Sequence, residues 1–160
     1  MHGASSTRRS ARPRLVRVAE YGPSRRAEIA DLIARVWGER PDEGELEWFY
    51  ERNPVRPASV LLAVEDGRLV GSVAIGFQRM AIAGEERVVG TAVHLATDPA
   101  HRGRGVFSRL QRENEERVRE SGVGLLLVVP NKGKPAPVFV GTAPFNHTGS
   151  RQEVRRRLAC

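Results

Sequence analysis

A chain of 160 residues, 40% of them apolar, has room for one domain built on a single core. Its one cysteine, Cys160, excludes an internal disulfide and suits a reducing cytoplasm; His2, His94, His101 and His147 are scattered and give no metal-ligand cluster, and no apolar run approaches the roughly eighteen residues of a membrane-spanning helix. The formal charge of +7 lies at the ends, because residues 1–17 carry five Arg and no acid, residues 151–160 carry four Arg and one Glu, and residues 18–150 sum to −1, which argues against a nucleic-acid binder.

Residues 1–13 are rich in Ser, Arg and Ala and read as a disordered basic arm, not a signal peptide. Residues 15–19 alternate as a first strand. Ser24 is placed to cap a helix in which Ile29, Leu32, Ile33, Val36 and Trp37 recur at helical spacing, with Gly38 ending it. Asp42-Glu43-Gly44-Glu45 has the form of a capping box for a second, short helix, which stops before Asn53-Pro54. On it Leu46, Phe49 and Tyr50 share a face, and Trp48 points elsewhere, towards a cleft or a partner. Residues 59–65 and 68–82 read as two strands joined through Asp66-Gly67, a strong hairpin signal. Gly84-Glu85-Glu86 is expected to turn the chain into a further strand over residues 87–97. A helix follows over residues 107–119, with Phe107, Leu110 and Val118 inward. Residues 125–129 are unbroken apolar, as a strand buried on both faces would be.

Between the strand ending at Thr97 and the helix opening near Phe107 lies Arg102-Gly103-Arg104-Gly105-Val106-Phe107. A strand turning through glycines into a helix leaves amide N–H groups unpaired, and the helix start adds about half a positive charge. Such a turn seats a phosphate or pyrophosphate; the plain alternative is a glycine turn with no ligand. No Lys occurs before Lys132, so a P-loop is excluded, and the third glycine of a dinucleotide fingerprint is missing. The stretch resembles the R/Q-x-x-G-x-G/A acyl-CoA loop of the GNAT acetyltransferases, with Phe107 where Gly or Ala is usual. Further stretches carry the same resemblance: Trp48-Phe49-Tyr50-Glu51-Arg52-Asn53-Pro54, Leu69-Val70-Gly71, Asp98-Pro99-Ala100-His101 ahead of the loop, Pro130-Asn131 and Pro137-Val138-Phe139. The element order, β-α-α-β-β-β-α-β, is the GNAT order, and the resemblance spans residues 14–145, leaving residues 146–160 as a basic tail.

The resemblance implies an α/β (α+β) fold with a mixed, mostly antiparallel sheet flanked by helices. It implies acetyl-CoA as acyl donor and an amine as acceptor. The pantetheine arm would pair with the backbone of Leu95, Ala96 and Thr97, and the pyrophosphate would sit on the amides of Arg102, Gly103, Arg104, Gly105, Val106 and Phe107. Asn131 would contact the cofactor arm or serve a turn. Candidate general bases are His94, Glu85 and Glu86; by strand alternation His94 shares a face with Gly90, Ala92 and Ala96. A hydrogen-bonded structural role for His94 is the competing reading, and His101 is expected to support the loop. The acid of many relatives is a Tyr after the fifth strand, where this chain has Phe139; its tyrosines are Tyr21 and Tyr50 alone. Trp37, Trp48 and Tyr50 could wall an acceptor site, with core packing the plainer job for Trp37. Residues 132–145 hold three prolines and residues 146–160 no alternating apolar run, so the C-terminal strands are expected to be incomplete. The exposed edge would favour a homodimer. Two functions follow: an N-acetyltransferase for a small-molecule or protein amine, or an acyl-CoA-binding module without turnover.

Overall fold

The computed structural model describes residues 15–128. Five strands form one sheet in the order β1 (Arg17–Glu20), β2 (Ser59–Glu65), β3 (Arg68–Ile82), β4 (Glu85–Thr97) and β5 (Leu126–Val128). Neighbours from β1 to β4 run antiparallel, and β5 lies parallel to β4. This is the mixed α/β sheet expected.

Two hairpin turns set the meander. Asp66 and Gly67 have φ of 50° and 80°, and Ala83 and Gly84 have φ of 52° and 84°. Left-handed conformation at both central residues is the turn whose twist matches the flanking strands. The second turn is therefore Ala83-Gly84, not Gly84-Glu85-Glu86; Glu85 and Glu86 begin β4.

Helix α1 (Arg26–Trp37) follows a 3-10 turn, Pro23–Arg25, so Ser24 lies inside that turn and caps nothing. Proline suits a first helical turn because it has no N–H to leave unpaired. Helix α2 (Glu43–Tyr50) starts as expected, with the Asp42 carboxylate accepting from the amides of Gly44 and Glu45. Both helices cover one face of the sheet, where Ile29, Leu32, Leu46 and Tyr50 pack on Leu62, Val64, Ala74 and Ala96. Helix α3 (Val106–Glu120) covers the other face through Val106 and Leu110 on Leu61, Val70 and Val73. Each such fully buried aliphatic side chain stabilises the fold by about 1.5–3 kcal/mol.

Asn114 locks α3 to the sheet. It is fully buried, accepts from the Ser59 hydroxyl at 2.5 Å, and donates to the carbonyls of Ser59 and Val73 at 3.0 and 3.3 Å. Nothing in the apolar pattern of α3 marked it as an inward position. Strand β5 also differs from expectation: its three residues are half-buried and Leu125 beside it is 42% exposed, so within the described residues it is not covered on both faces. Among the described residues no helix is long and apolar enough to cross a membrane, and no three His, Cys, Asp or Glu side chains are grouped to hold a metal.

Candidate active site

Two features of the backbone meet where β4 ends and α3 begins. The first is the glycine turn. Asp98 donates its amide to the Val70 carbonyl, and its carboxylate accepts from the Ala100 amide, which pins the 3-10 turn Pro99–His101. The chain then passes through Gly103 and Gly105, both at φ 73°, with Gly105 as the N-cap of α3. Residues with a Cβ rarely adopt that conformation, so glycine is favoured at both positions. The amides of Gly103, Arg104, Gly105 and Val106 find no acceptor among the described residues. They stand at the positive end of a fifteen-residue helix.

The two arginines of the turn have different tasks. Arg102 is exposed and makes no ion pair among the described residues. Arg104 instead places its guanidinium on Glu65 at 2.7 Å, so its amide is open to a ligand while its side chain is engaged. Glu65 is buried at the end of β2 and its second oxygen meets His101 Nε2 at 2.8 Å. Arg104 and His101 together hold the Glu65 carboxyl below its ordinary range. Burial pushes the Asp98 carboxyl up, but the Ala100 amide, His101 and Arg68 outweigh it and hold that group low as well. His101 thus supports the loop from beneath, as its position in the sequence suggested. Glu65 is the partner that sequence reasoning missed.

The second feature is a bulge in β4. Ser72 pairs with Ala96 and Ala74 with Val93, so His94 and Leu95 together oppose the single residue Val73. His94 takes φ 50° to make the extra step. Its carbonyl accepts from the Ser72 hydroxyl at 3.1 Å. An added residue shifts the alternation of side chains by one. Gly90 consequently lies beside Ile75, Leu126 and Val118, on the α3 side of the sheet, while Ala96 packs with the α1–α2 core. His94 joins Ala96 on that side and does not share a face with Gly90 and Ala92.

There the imidazole Nδ1 lies 3.0 Å from the Tyr50 hydroxyl, and the rings of Phe49 and Tyr50 meet it edge-on at 5.5 Å each. Phe49 occupies the space a Cβ on Gly76 would need. Burial lowers the His94 pKa below the ordinary histidine value. Burial also raises Tyr50 far above the usual phenol range, so its hydroxyl keeps its proton. Tyr50 is therefore no open wall: it is 2% exposed and meets His94 from within the core, through its hydroxyl and its ring edge. Trp37 is not a core residue either; it is 39% exposed, and its indole N–H donates to the Leu95 carbonyl at 2.9 Å. Trp48 is 54% exposed, as its place off the apolar face of α2 required.

On the other side of β4, pairing with β5 runs from Gly90 to Ala92. Residues 93–97 have no strand partner along that edge among the described residues. The buried Thr97 Oγ1 has no hydrogen-bond partner among the described residues. Leu95, Ala96 and Thr97 thus lie on an open edge leading to the glycine turn. Glu85 and Glu86 are remote from it: at the hairpin tip they pair with Arg87 and Arg79. Asn131 and Phe139 lie outside the described residues, as do the N-terminal arm and everything after Val128.

Comparison with known proteins bears on this arrangement. The profile of the "Acetyltransferase (GNAT) domain" matches residues 17–136. No curated protein matches the sequence. Among solved structures, a protein of Enterococcus faecalis V583 called a probable N-acyltransferase is similar at TM-score 0.68 and 18% identity over 79% of this chain. The match spans only 31% of that protein's length. A transcriptional regulator of Bacillus halodurans C-125 gives TM-score 0.69 at 20% identity, covering 85% of this chain and 96% of the other. A predicted acetyltransferase of Clostridium acetobutylicum, solved with acetyl-CoA, gives 0.69 at 15% identity, covering 84% and 92%. At these identities the likenesses establish the fold.

Proposed function

The chain belongs to the GNAT family of acetyltransferases, and on that premise we propose that it transfers an acetyl group from acetyl-CoA to a primary amine, with His94 as general base. The observation that carries the donor assignment is the set of unpaired amides from Gly103 to Val106 at the start of α3, next to the open edge of β4. A diphosphate satisfies such amides, and the amide-rich pantetheine satisfies an open strand edge as an added strand would. Arg102 supplies an exposed guanidinium to the same phosphates. Thr97 Oγ1 is a further orphan that a bound acyl-CoA can partner.

The amine reaches the site as an ammonium and must lose a proton to become a nucleophile. His94 is suited to accept it, directly or through a water, because burial keeps the imidazole neutral. Tyr50 can donate to Nδ1 or accept from it, so either tautomer is held and Nε2 can present its lone pair. Nitrogen then attacks the thioester carbon, the N–C bond forms, the nitrogen gives its second proton to water, and collapse breaks the C–S bond. The departing thiolate, whose conjugate acid has a pKa of about 8.5, can take a proton from water without a tyrosine acid. Family membership favours this enzyme over the binding module without turnover. The single cysteine supports a cytoplasmic setting.

The test is thiol release from acetyl-CoA across a panel of amines, for the wild type and His94→Gln. A drop in kcat of about 10²–10⁴ with the KM for acetyl-CoA unchanged is expected. Equal kcat in the two proteins would remove His94 from the mechanism.

A further inference from the structure

The open edge of β4 has a carbonyl that is already engaged. Asp98 donates its amide to the Val70 carbonyl of β3. Along a strand the polar groups of residues two apart point the same way, and those of adjacent residues point opposite ways. Ala96 therefore turns its N–H and C=O towards its partner Ser72. Leu95 and Thr97 turn theirs away from β3, to the edge that β5 leaves unpaired among the described residues. An extended arm laid along that edge takes the Leu95 carbonyl as an acceptor. The Trp37 indole N–H holds that carbonyl at 2.9 Å. Trp37 is the last residue of α1, and Gly38 leaves the helix at φ 89°. Its exposed side chain stands outside the buried cluster that α1 and α2 form with the sheet, so a change of rotamer frees the carbonyl without opening that core.

Resting on the proposed acyl-CoA site, we infer that Trp37 is a cap on the donor edge: its indole satisfies the Leu95 carbonyl before acyl-CoA binds and yields it to an amide N–H of the pantetheine arm. The cap keeps a polar strand edge from pairing with another chain. It also divides ligands by what they carry. A molecule with the diphosphate alone reaches the glycine turn and leaves the indole in place. A molecule with the amide-bearing arm displaces it and loses affinity by the strength of one competing hydrogen bond. A carbonyl has two lone pairs, so an arm that shared Leu95 with the indole would leave Trp37 where it is. That is the alternative the test must separate.

The experiment follows Trp37 by fluorescence in the full chain carrying Trp48→Phe, which leaves Trp37 as its one tryptophan. Coenzyme A is expected to change the Trp37 emission saturably, with a midpoint at the Kd found by calorimetry. ADP, which has the diphosphate and no pantetheine arm, should leave the emission unchanged. Trp37→Phe alone removes the N–H and keeps an aromatic ring. It should bind coenzyme A about two- to tenfold more tightly than the wild type, and ADP no differently. Coenzyme A that binds by calorimetry without moving the Trp37 emission would overturn the cap and leave the donor site standing. Equal or weaker coenzyme A binding in Trp37→Phe, or an ADP response as large as that to coenzyme A, would do the same. Coenzyme A that does not bind the wild type at all would remove the donor site and the cap together.

Discussion

At the scale of single residues, His94 holds a backbone conformation that histidine seldom takes. A non-glycine residue at φ 50° costs on the order of 1–3 kcal/mol, and the Ser72 hydroxyl and the two flanking strand pairings hold it there. The return on that strain is an imidazole facing Tyr50 and Phe49 instead of α3. Because burial lowers its pKa, the neutral, base-competent form persists below the ordinary histidine range near 6.5. The log of kcat/KM should therefore fall on acidification only through a pKa below that range. The stability consequence has a definite sign. The unfolded chain takes up a proton as pH falls through about 6.5 while the folded one does not, so stability is intact above that pH and declines below it until the folded imidazole titrates. An acidic limb centred at or above 6.5 would contradict the burial of the proposed base. The sequence showed His94 as a candidate and grouped it with Ala96, as found, but also with Gly90 and Ala92, which lie on the opposite face. Alternation predicts sides only when the register is unbroken, and no glycine marks this bulge.

At the scale of elements, the turn from β4 into α3 was legible because the function proposed for it lies in the backbone. Gly103 and Gly105 announce the left-handed steps, and the apolar positions that follow announce the helix. Its foundation was not legible, since Glu65 comes from a strand 36 residues before His101 and reads locally as the polar end of β2. Two substitutions separate ligand from foundation. Gly105→Asp adds a Cβ at φ 73° and an anion beside the phosphate seat, and should abolish acyl-CoA binding by calorimetry. Glu65→Gln keeps the size but removes the charge that pairs with Arg104 and His101, and should weaken acyl-CoA several-fold while lowering Tm. Glu65 is held below its ordinary range, so this support is present above the ordinary carboxylate pKa. It is lost as pH falls through the lowered one. Unaltered acyl-CoA affinity in Glu65→Gln would detach the network from the loop.

At the scale of the whole molecule, the β2–β4 meander and the three helices were legible from hairpin signals and apolar spacing, while the mixed sheet was what the family resemblance implied. What escaped were polar residues inside. Asn114 sits on a helix dominated by charge, where an amide reads as one more solvated position, yet it is fully buried and ties α3 to β2 and β3. Replacing it with Ala leaves two carbonyls and the Ser59 hydroxyl short of a partner, and should cost about 1–3 kcal/mol in chemical denaturation. A loss within error of zero would mean that water takes over those bonds. Since α3 carries the proposed phosphate seat at its start, the same variant should loosen acyl-CoA without altering any group proposed to touch it.

The account turns on where the nucleotide binds. A crystal structure of the chain with coenzyme A should show the diphosphate oxygens within hydrogen-bond distance of the amides of residues 103–106. The pantetheine should lie along residues 95–97 of β4. A diphosphate bound elsewhere, with those four amides still open to solvent, would contradict it.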